Sequence, residues 1–139
     1  MPSGTTSKSA PLAPVVLDTG FFIALAKRDH VGAELLARTK ERKPLAVAAS
    51  TISEFWRVHR GAAESRFSVL KPTVVEVDEA LAKRAGELLK ATRDTNAMDA
   101  MVVALAERLQ AAEIYTSDVE DIDRLLSAAT EWGCQSVLF

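Results

Sequence analysis

The sequence is poor in the residues from which many redox and zinc sites are built. Its 139 residues include one cysteine and two histidines. The single cysteine, Cys134, cannot form a disulfide within the chain, and no histidine or metal ligand near it in sequence would activate its thiol. We therefore expect a small, buried thiol. His30 follows an acidic residue in a predicted loop and His59 continues an apolar helical stripe, so neither is suitably placed for a zinc cluster.

Long apolar runs and an excess of basic charge are also missing. No run approaches the roughly 20 residues that a membrane-spanning helix needs, and no signal-peptide pattern is present. We therefore expect a soluble, cytoplasmic protein without a membrane partner. The 17 basic and 19 acidic residues give a formal charge of −2, which argues against a protein that coats nucleic acid. An enzyme with an acidic metal site and local basic patches fits these numbers.

The chain alternates between short apolar runs and helical patterns. Residues 1–13 are rich in Ser, Thr, Pro and Gly and predict a flexible leader. Residues 14–139 predict a single domain, whose strands are VVLD, LAVAA, TVVEVD, EIYTS and, at an edge, SVLF. Short strands separated by helices are typical of βαβ units. The predicted fold class is α/β, a three-layer sandwich with a central, mostly parallel sheet flanked by helices.

Four carboxylates stand out because of where they occur. Asp18 and Asp118 follow predicted strands, Glu54 lies one helical turn beyond another, and Asp99 lies near the start of a strongly apolar helix. In a parallel sheet the carboxyl ends of all strands meet at one edge, where ligands bind. Four acids converging there would repel one another unless a cation intervened. An oxygen-only site favours Mg²⁺ or Mn²⁺.

Each carboxylate also has an explanation that needs no ligand. Asp18 and Asp118 could be N-caps of the helices that follow them. In TISE, residues 51–54, the threonine and the glutamate have the spacing of a capping box. Asn96 could cap a helix in which Asp99 takes the third position, close to the positive end of the helix dipole. Caps require no convergence of the four side chains, whereas a metal site does.

Four segments together resemble a known family. They are, in chain order, VVLDTGFFIAL, STISEFWRV, MDAMVVALAER and IYTSDVEDIDRL. In this order and spacing they resemble the PIN-domain family and, more narrowly, the VapC toxins of bacterial toxin–antitoxin pairs. The resemblance covers about residues 14–139. It implies a catalytic acidic quartet of Asp18, Glu54, Asp99 and Asp118. It further implies that the metal ligands are Asp18, Asp99 and Asp118. The supporting residues are Thr19, Thr116 and Asp121, the last of which could assist or replace Asp118.

The resemblance also implies a function. It implies a Mg²⁺- or Mn²⁺-dependent endoribonuclease that cuts structured RNA, either transfer RNA or a ribosomal RNA loop, and acts as a toxin. Hydrolysis by metal-activated water would leave a 5′-phosphate and a 3′-hydroxyl. The expected partners are a cognate VapB-type antitoxin, whose C-terminal segment covers the active site, and a second copy of the chain in a homodimer. The alternative is a catalytically silent PIN-like module that binds RNA or a protein.

Two groups of side chains near the quartet are candidates for binding roles. The basic residues expected to contact RNA phosphates are Arg57, Arg60 and Arg66. Arg57 could instead pair with Glu54, one helical turn away. A second basic cluster, which a solvated helix face explains more simply, consists of Arg38, Lys40, Arg42 and Lys43.

The aromatic residues predicted for the core, with at least one expected to line a groove for the antitoxin helix, are Phe21, Phe22, Phe55 and Trp56.

Overall fold

The computed structural model describes residues 13–26, 30–42, 44–58 and 60–139. The elements, in chain order, are β1 (Val15–Leu17), α1 (Thr19–Leu25), α2 (His30–Lys40), β2 (Leu45–Ala48), α3 (Ala49–Val58), α4 (Arg60–Leu70), β3 (Thr73–Val75), α5 (Glu79–Thr92), α6 (Ala97–Leu109), β4 (Glu113–Thr116), α7 (Val119–Ala128) and β5 (Gln135–Leu138). The predicted leader lies outside the described residues except for Ala13. None of the helices among the described residues is long and apolar enough to cross a membrane.

The five strands form one sheet in the order β3-β2-β1-β4-β5, and every neighbouring pair is parallel. This confirms the predicted parallel sheet, and SVLF contributes the edge strand β5. From β1 the chain builds the sheet outward through β2 and β3, then returns to add β4 and β5 on the other side of β1. The order therefore reverses between β1 and β4. In open α/β sheets, the crevice beyond the carboxyl ends of the strands at such a point is where ligands bind.

The side chains of the strands supply two hydrophobic cores, one on each face of the sheet. Val16 and Ile114 pack with buried residues of α5, α6 and α7, such as Leu88. Their neighbours Leu17 and Tyr115 face the opposite core, which contains buried side chains of α1 to α4. Successive strand residues point to opposite faces, and helices cover both faces, so the strands read as continuous apolar runs. The three-layer sandwich is confirmed.

The start of α3 differs from the prediction. The capping box in TISE is wrong, because α3 begins at Ala49 directly after β2 ends at Ala48. Thr51 therefore lies inside the first turn of the helix, where it is buried. Glu54 belongs to the second turn and has no role at the helix start. The next helix, α4, spans Arg60–Leu70.

Cys134 is half-buried, and burial raises the pKa of its thiol to about 11. At neutral pH the side chain is therefore almost entirely the protonated, unreactive thiol. The expected unreactive thiol is confirmed, but the side chain is half-buried and not fully buried as predicted.

Candidate active site

The crevice between β1 and β4 is built around Asp18, which follows the last residue of β1. The Asp18 backbone N–H donates to the carbonyl of Tyr115 at 3.0 Å, which extends the pairing of β1 with β4 by one residue. Its side chain is the N-cap of α1, where Oδ1 accepts from the Thr19 backbone N–H at 2.7 Å. Thr116 Oγ1 donates to Asp18 Oδ2 at 2.8 Å. The predicted cap is confirmed, and the hydroxyl of Thr116 satisfies the second oxygen.

Two opposing effects act on the ionisation of Asp18. The residue is 4% exposed, and this burial raises its pKa above the ordinary value of 3.8. The hydrogen bonds from Thr116 and Thr19 favour the carboxylate and offset part of that rise. A hydroxyl and a backbone amide, one on each oxygen, thus make an isolated carboxylate tolerable among apolar neighbours.

Thr116 connects Asp18 to the loop that carries Asp118. Its side chain is fully buried, and its Oγ1 accepts from the Asp118 backbone N–H at 2.9 Å while it donates to Asp18. Gly20 brings the same two segments together from the other side. A Cβ at Gly20 would lie 2.0 Å from Ser117 Oγ and 2.8 Å from Ser117 Cβ. The start of α1 can approach the β4–α7 loop this closely only because residue 20 has no side chain.

Asp99 enters the crevice from the first turn of α6. Asn96 is the N-cap of this helix, and its Oδ1 accepts from the Asp99 backbone N–H at 3.1 Å, as predicted. The Asp99 side chain is 6% exposed, and its Oδ2 is buried without a hydrogen-bond partner among the described residues. Burial, followed by the charges of Asp18, Asp118 and other nearby acids, raises its pKa to about 7. Asn96 therefore caps the helix, and the carboxyl of Asp99 takes no part in the cap.

Asp118 and Asp121 complete a compact acidic group at the start of α7. Among the described residues, one ligand atom from each of Asp99, Asp118 and Asp121 lies within 4.8 Å of the others. Asp118 occupies the N-cap position of α7 without making a side-chain cap hydrogen bond, so its predicted capping role is wrong. Burial raises the pKa of Asp118, and the neighbouring carboxyl of Asp121 raises it further. Asp18 is not a member of this group, but its charge raises the pKa of both Asp99 and Asp118.

This acidic group fits a hard divalent cation. All three side chains offer oxygen ligands, which Mg²⁺ and Mn²⁺ prefer. The orphaned Asp99 Oδ2 has the partner it lacks if a cation is bound there, because a buried polar atom without a partner is costly. Burial and, after it, the charges of neighbouring carboxylates raise the pKa of Asp99 and of Asp118, and a shared cation would relieve the repulsion between these carboxylates. The assignment of Asp18 as a direct ligand stays a prediction, and so does the supporting role of Thr19.

Glu54 lies outside the compact group and has a cationic neighbour of its own. Arg57 Nη2 lies 3.3 Å from Glu54 Oε2, three residues along α3. Glu54 is about one-third exposed and Arg57 is largely exposed, so the pair is weakly held and screened by solvent. The ion pair between Arg57 and Glu54, which the sequence analysis gave as an alternative to RNA binding by Arg57, is therefore present. The catalytic role of Glu54 stays a prediction.

The other two arginines that were expected to bind RNA are Arg66 and Arg60. Arg66 is half-buried, and its Nη1 donates to the carbonyl of Leu25, the last residue of α1. Arg60 lies in α4, but its side chain is outside the described set. Among the described side chains of the three arginines, Arg57 lies on the surface beside an acid of the predicted quartet. Lys43 and His59 also fall outside the described residues.

The aromatic residues divide between the core and the surface. Phe21, Phe22 and Phe55 are fully buried, and the rings of Phe22 and Phe55 stack with their centroids 4.4 Å apart. These three are core residues, as predicted. Trp56 is half-buried and, with four neighbours on α3, lines a shallow cavity of about 540 Å³; the other lining residues are Ala49, Ile52, Ser53 and Arg57.

The sequence analysis assigned no role to two residues at the site, Arg124 and Asp94. Arg124 Nη1 donates to Asp121 Oδ1 at 2.9 Å and to Asp94 Oδ2 at 3.3 Å. The three-residue spacing of Asp121 and Arg124 on a helix was a usable signal for the first contact. The contact with Asp94 joins residues 30 positions apart, and no local pattern indicates it.

Comparison with known proteins places the chain in a family. A family model for the PIN domain matches residues 15–125. The chain therefore belongs to the PIN-domain family. No curated protein matches it significantly by sequence.

Solved structures of toxins and toxin–antitoxin complexes share the fold. VapC20 of Mycobacterium tuberculosis, described as a sarcin–ricin loop cleaving toxin, is 21% identical with a TM-score of 0.59, and the alignment covers 84% of this chain and 97% of that chain. VapBC2 of Rickettsia felis, bound to a DNA fragment from its promoter, is 13% identical with a TM-score of 0.63, covering 91% and 98%. A toxin–antitoxin complex from Klebsiella pneumoniae is 19% identical with a TM-score of 0.60, covering 77% and 88%.

Proposed function

We propose that the protein is a Mg²⁺- or Mn²⁺-dependent endoribonuclease and the toxin of a toxin–antitoxin pair. One observation carries the proposal. Asp99, Asp118 and Asp121 place carboxylate oxygens within 4.8 Å of one another at the ligand-binding edge of the sheet. The most deeply buried of them, Asp99, has an oxygen without a partner among the described residues. A stable fold does not require this arrangement, whereas a cation site does.

The chain's own residues would hold the ion and prepare the site. Asp99, Asp118 and Asp121 would bind the metal, with Asp18, whose charge acts on Asp99 and Asp118, as a further predicted ligand. When bound, the ion supplies a Lewis acid for a phosphate oxygen and lowers the pKa of a water ligand. Thr116 fixes the orientation of Asp18 and of the Asp118 backbone through its two hydrogen bonds. Glu54, on α3, would help to position the attacking water.

RNA is the proposed substrate class. The similarity to VapC20, which cleaves the sarcin–ricin loop, supports structured RNA such as a ribosomal loop or a transfer RNA. The exposed guanidinium of Arg57 is suited to contact a phosphate next to the scissile one, since its pairing with Glu54 is weak. Cleavage would leave a 5′-phosphate and a 3′-hydroxyl.

An antitoxin is the proposed protein partner. Two of the similar structures are toxin–antitoxin complexes. The cavity on α3 beside Glu54 has an apolar wall formed by Ile52 and Trp56, which suits the apolar face of an antitoxin helix. A homodimer is proposed from the family resemblance alone, and light scattering of the purified protein tests it.

The alternative, a catalytically silent binding module, draws support from the observed caps. Asp18 does cap α1, and Asn96 caps α6 next to Asp99. Replacing a carboxylate by its amide separates the two functions, because Asn caps a helix as well as Asp but replaces a charged metal ligand poorly.

RNA cleavage by amide variants tests the proposal. The purified protein is incubated with total RNA and Mn²⁺, or with EDTA, and the new RNA ends are sequenced. Cleavage should require Mn²⁺ and should be lost in Asp18→Asn, Glu54→Gln, Asp99→Asn and Asp118→Asn, with melting temperatures no lower than that of the wild type. Cleavage that survives in EDTA or in all four variants would refute the nuclease assignment. Collapse of stability without any metal binding by the wild type would favour the silent module.

A further inference from the structure

Arg124 contacts the acidic group, but the proposed chemistry gives it no role. It lies on α7, one turn after Asp121, and a single nitrogen, Nη1, donates to carboxylates on two different segments. One is Asp121 Oδ1 at 2.9 Å, and the other is Asp94 Oδ2 at 3.3 Å. Arg124 therefore bridges the first turns of α7 and the loop between α5 and α6.

Asp94, which accepts one of these hydrogen bonds from Arg124, is itself held in place by backbone hydrogen bonds. The Asp94 side chain is 11% exposed, and its Oδ1 accepts from the backbone N–H groups of Thr95 at 2.7 Å and Asn96 at 3.1 Å. Asn96 in turn accepts from the Asp99 backbone N–H through its own side chain. A continuous series of hydrogen bonds thus leads from Arg124 to the turn of α6 that carries Asp99.

We propose that Arg124 is a positioning residue of the metal centre, which holds Asp121 in place relative to Asp99 by bridging to Asp94. The inference rests on the proposed function. Asp99 and Asp121 belong to different helices, and their carboxylates repel each other when no cation is bound. A tie between the two helix starts keeps the ligands close, and partners that orient metal ligands typically contribute about 10- to 100-fold in metal affinity or activity.

A simple electrostatic role for Arg124 predicts the opposite effect. A guanidinium beside a cation site repels the cation, so its removal would strengthen metal binding if charge were its only contribution. Because Arg124 is about half exposed, that repulsion is screened by solvent. The sign of the change in metal affinity therefore distinguishes positioning from repulsion.

Calorimetric titration of the full-length protein with Mn²⁺ tests the proposal. Arg124→Gln should bind Mn²⁺ about tenfold more weakly than the wild type. Asp94→Asn keeps the oxygen that accepts from Thr95 and Asn96 but loses its charge, and it should weaken binding in the same direction. The double variant should lose little more than Arg124→Gln alone, because both changes break one bridge. Unchanged or tighter binding in Arg124→Gln, or fully additive losses, would overturn the proposal.

Arg108→Gln is the matched control. Arg108 pairs with Asp78 at 2.8 and 3.0 Å and likewise joins two segments 30 residues apart. It lies nine residues beyond Asp99 on α6, roughly 13 Å away along the helix axis. This variant should bind Mn²⁺ as the wild type does, with a melting-temperature change similar to that of Arg124→Gln. An equal loss of affinity in the control would mean that general stability is responsible. A wild type that binds no Mn²⁺ would refute the proposed function itself, whereas an unaffected Arg124→Gln would refute this inference alone.

Discussion

At the scale of single residues, burial and the charges of neighbouring acids both oppose the ionisation of Asp99. Its carboxyl is 6% exposed and lies near several other acids, and its pKa is raised to about 7. Without a cation, a pKa in this range means that the carboxyl of Asp99 gains a proton near neutral pH instead of near pH 4. A metal ligand must be deprotonated, so binding of the proposed cation would release a proton.

The metal-free protein is expected to lose stability as pH rises from about 4 to about 7. The unfolded Asp99 carboxyl titrates near 3.8, whereas the folded one has a pKa of about 7. Between these values the folded state holds the extra proton, so the free energy of unfolding falls with increasing pH and levels off above about pH 7. Asp99→Asn cannot titrate, and its curve should be flatter over this range. Chemical denaturation in EDTA at several pH values measures the difference, and an unchanged slope in Asp99→Asn would contradict the assignment.

Thr116 offers a second test at this scale. Thr116→Val removes a buried hydroxyl that donates to Asp18 and accepts from the Asp118 backbone, and leaves both groups without that partner. The expected loss is about 1–3 kcal/mol in the free energy of unfolding. Thr116→Ser keeps the hydroxyl and loses one methyl group, so it should cost about 1 kcal/mol or less. Equal losses in urea denaturation would show that packing, not hydrogen bonding, makes Thr116 important.

At the scale of helices and strands, the site depends on how closely α1 approaches the β4–α7 loop. Gly20 permits that approach, since a Cβ there would overlap with Ser117. The two segments carry Asp18 and Asp118, so their separation determines how the acids meet.

Gly20→Ala should destabilise the protein, although alanine favours helices. The added Cβ must displace Ser117, and overpacking of this kind costs about 1–3 kcal/mol. Gly86 in α5 is the matched control, because nothing lies within 4 Å of a Cβ built there. Gly86→Ala should stabilise the protein by about 0.5–1 kcal/mol. Thermal denaturation compares the two, and a second change, Ser117→Gly, should restore much of the loss in Gly20→Ala. Stabilisation by both alanines would contradict the close approach.

Much of the fold could be predicted from the sequence because the strands are buried on both faces. The runs that became β1, β2 and β4 are largely apolar, and the polar residues that follow β1 and β4 mark the ligand-binding edge. The start of α3 was missed because TISE resembles a cap, yet the chain enters the helix directly from β2. The contact of Arg124 with Asp94 was also missed, because only the packing of α7 against the α5–α6 loop brings them together.

At the scale of the whole molecule, the proposed function requires a protein with a formal charge of −2 to attract RNA to an acidic crevice. Local basic side chains are the means available, and Arg57 is the one placed beside Glu54 on the exposed side of α3. Such contacts with phosphates release counterions and make binding dependent on salt.

Arg57→Gln should weaken RNA binding about uniformly across sequences and reduce its salt dependence by about one phosphate contact. Binding is measured by fluorescence anisotropy in the Asp99→Asn background, so that the RNA stays intact. Arg108→Gln, which removes a similar charge at the far end of α6, should leave the salt dependence unchanged. Identical salt dependence in the Arg57 and Arg108 variants would exclude Arg57 from the RNA path.

The central claim is that the acidic group at the β1–β4 crevice is a metal site. A crystal of the protein grown with Mn²⁺ and measured for anomalous scattering tests it most directly. We predict an anomalous peak within about 2.5 Å of carboxylate oxygens from Asp99, Asp118 and Asp121, including the oxygen of Asp99 that now has no partner among the described residues. Crystals that show no peak in this crevice at saturating Mn²⁺ would contradict the account.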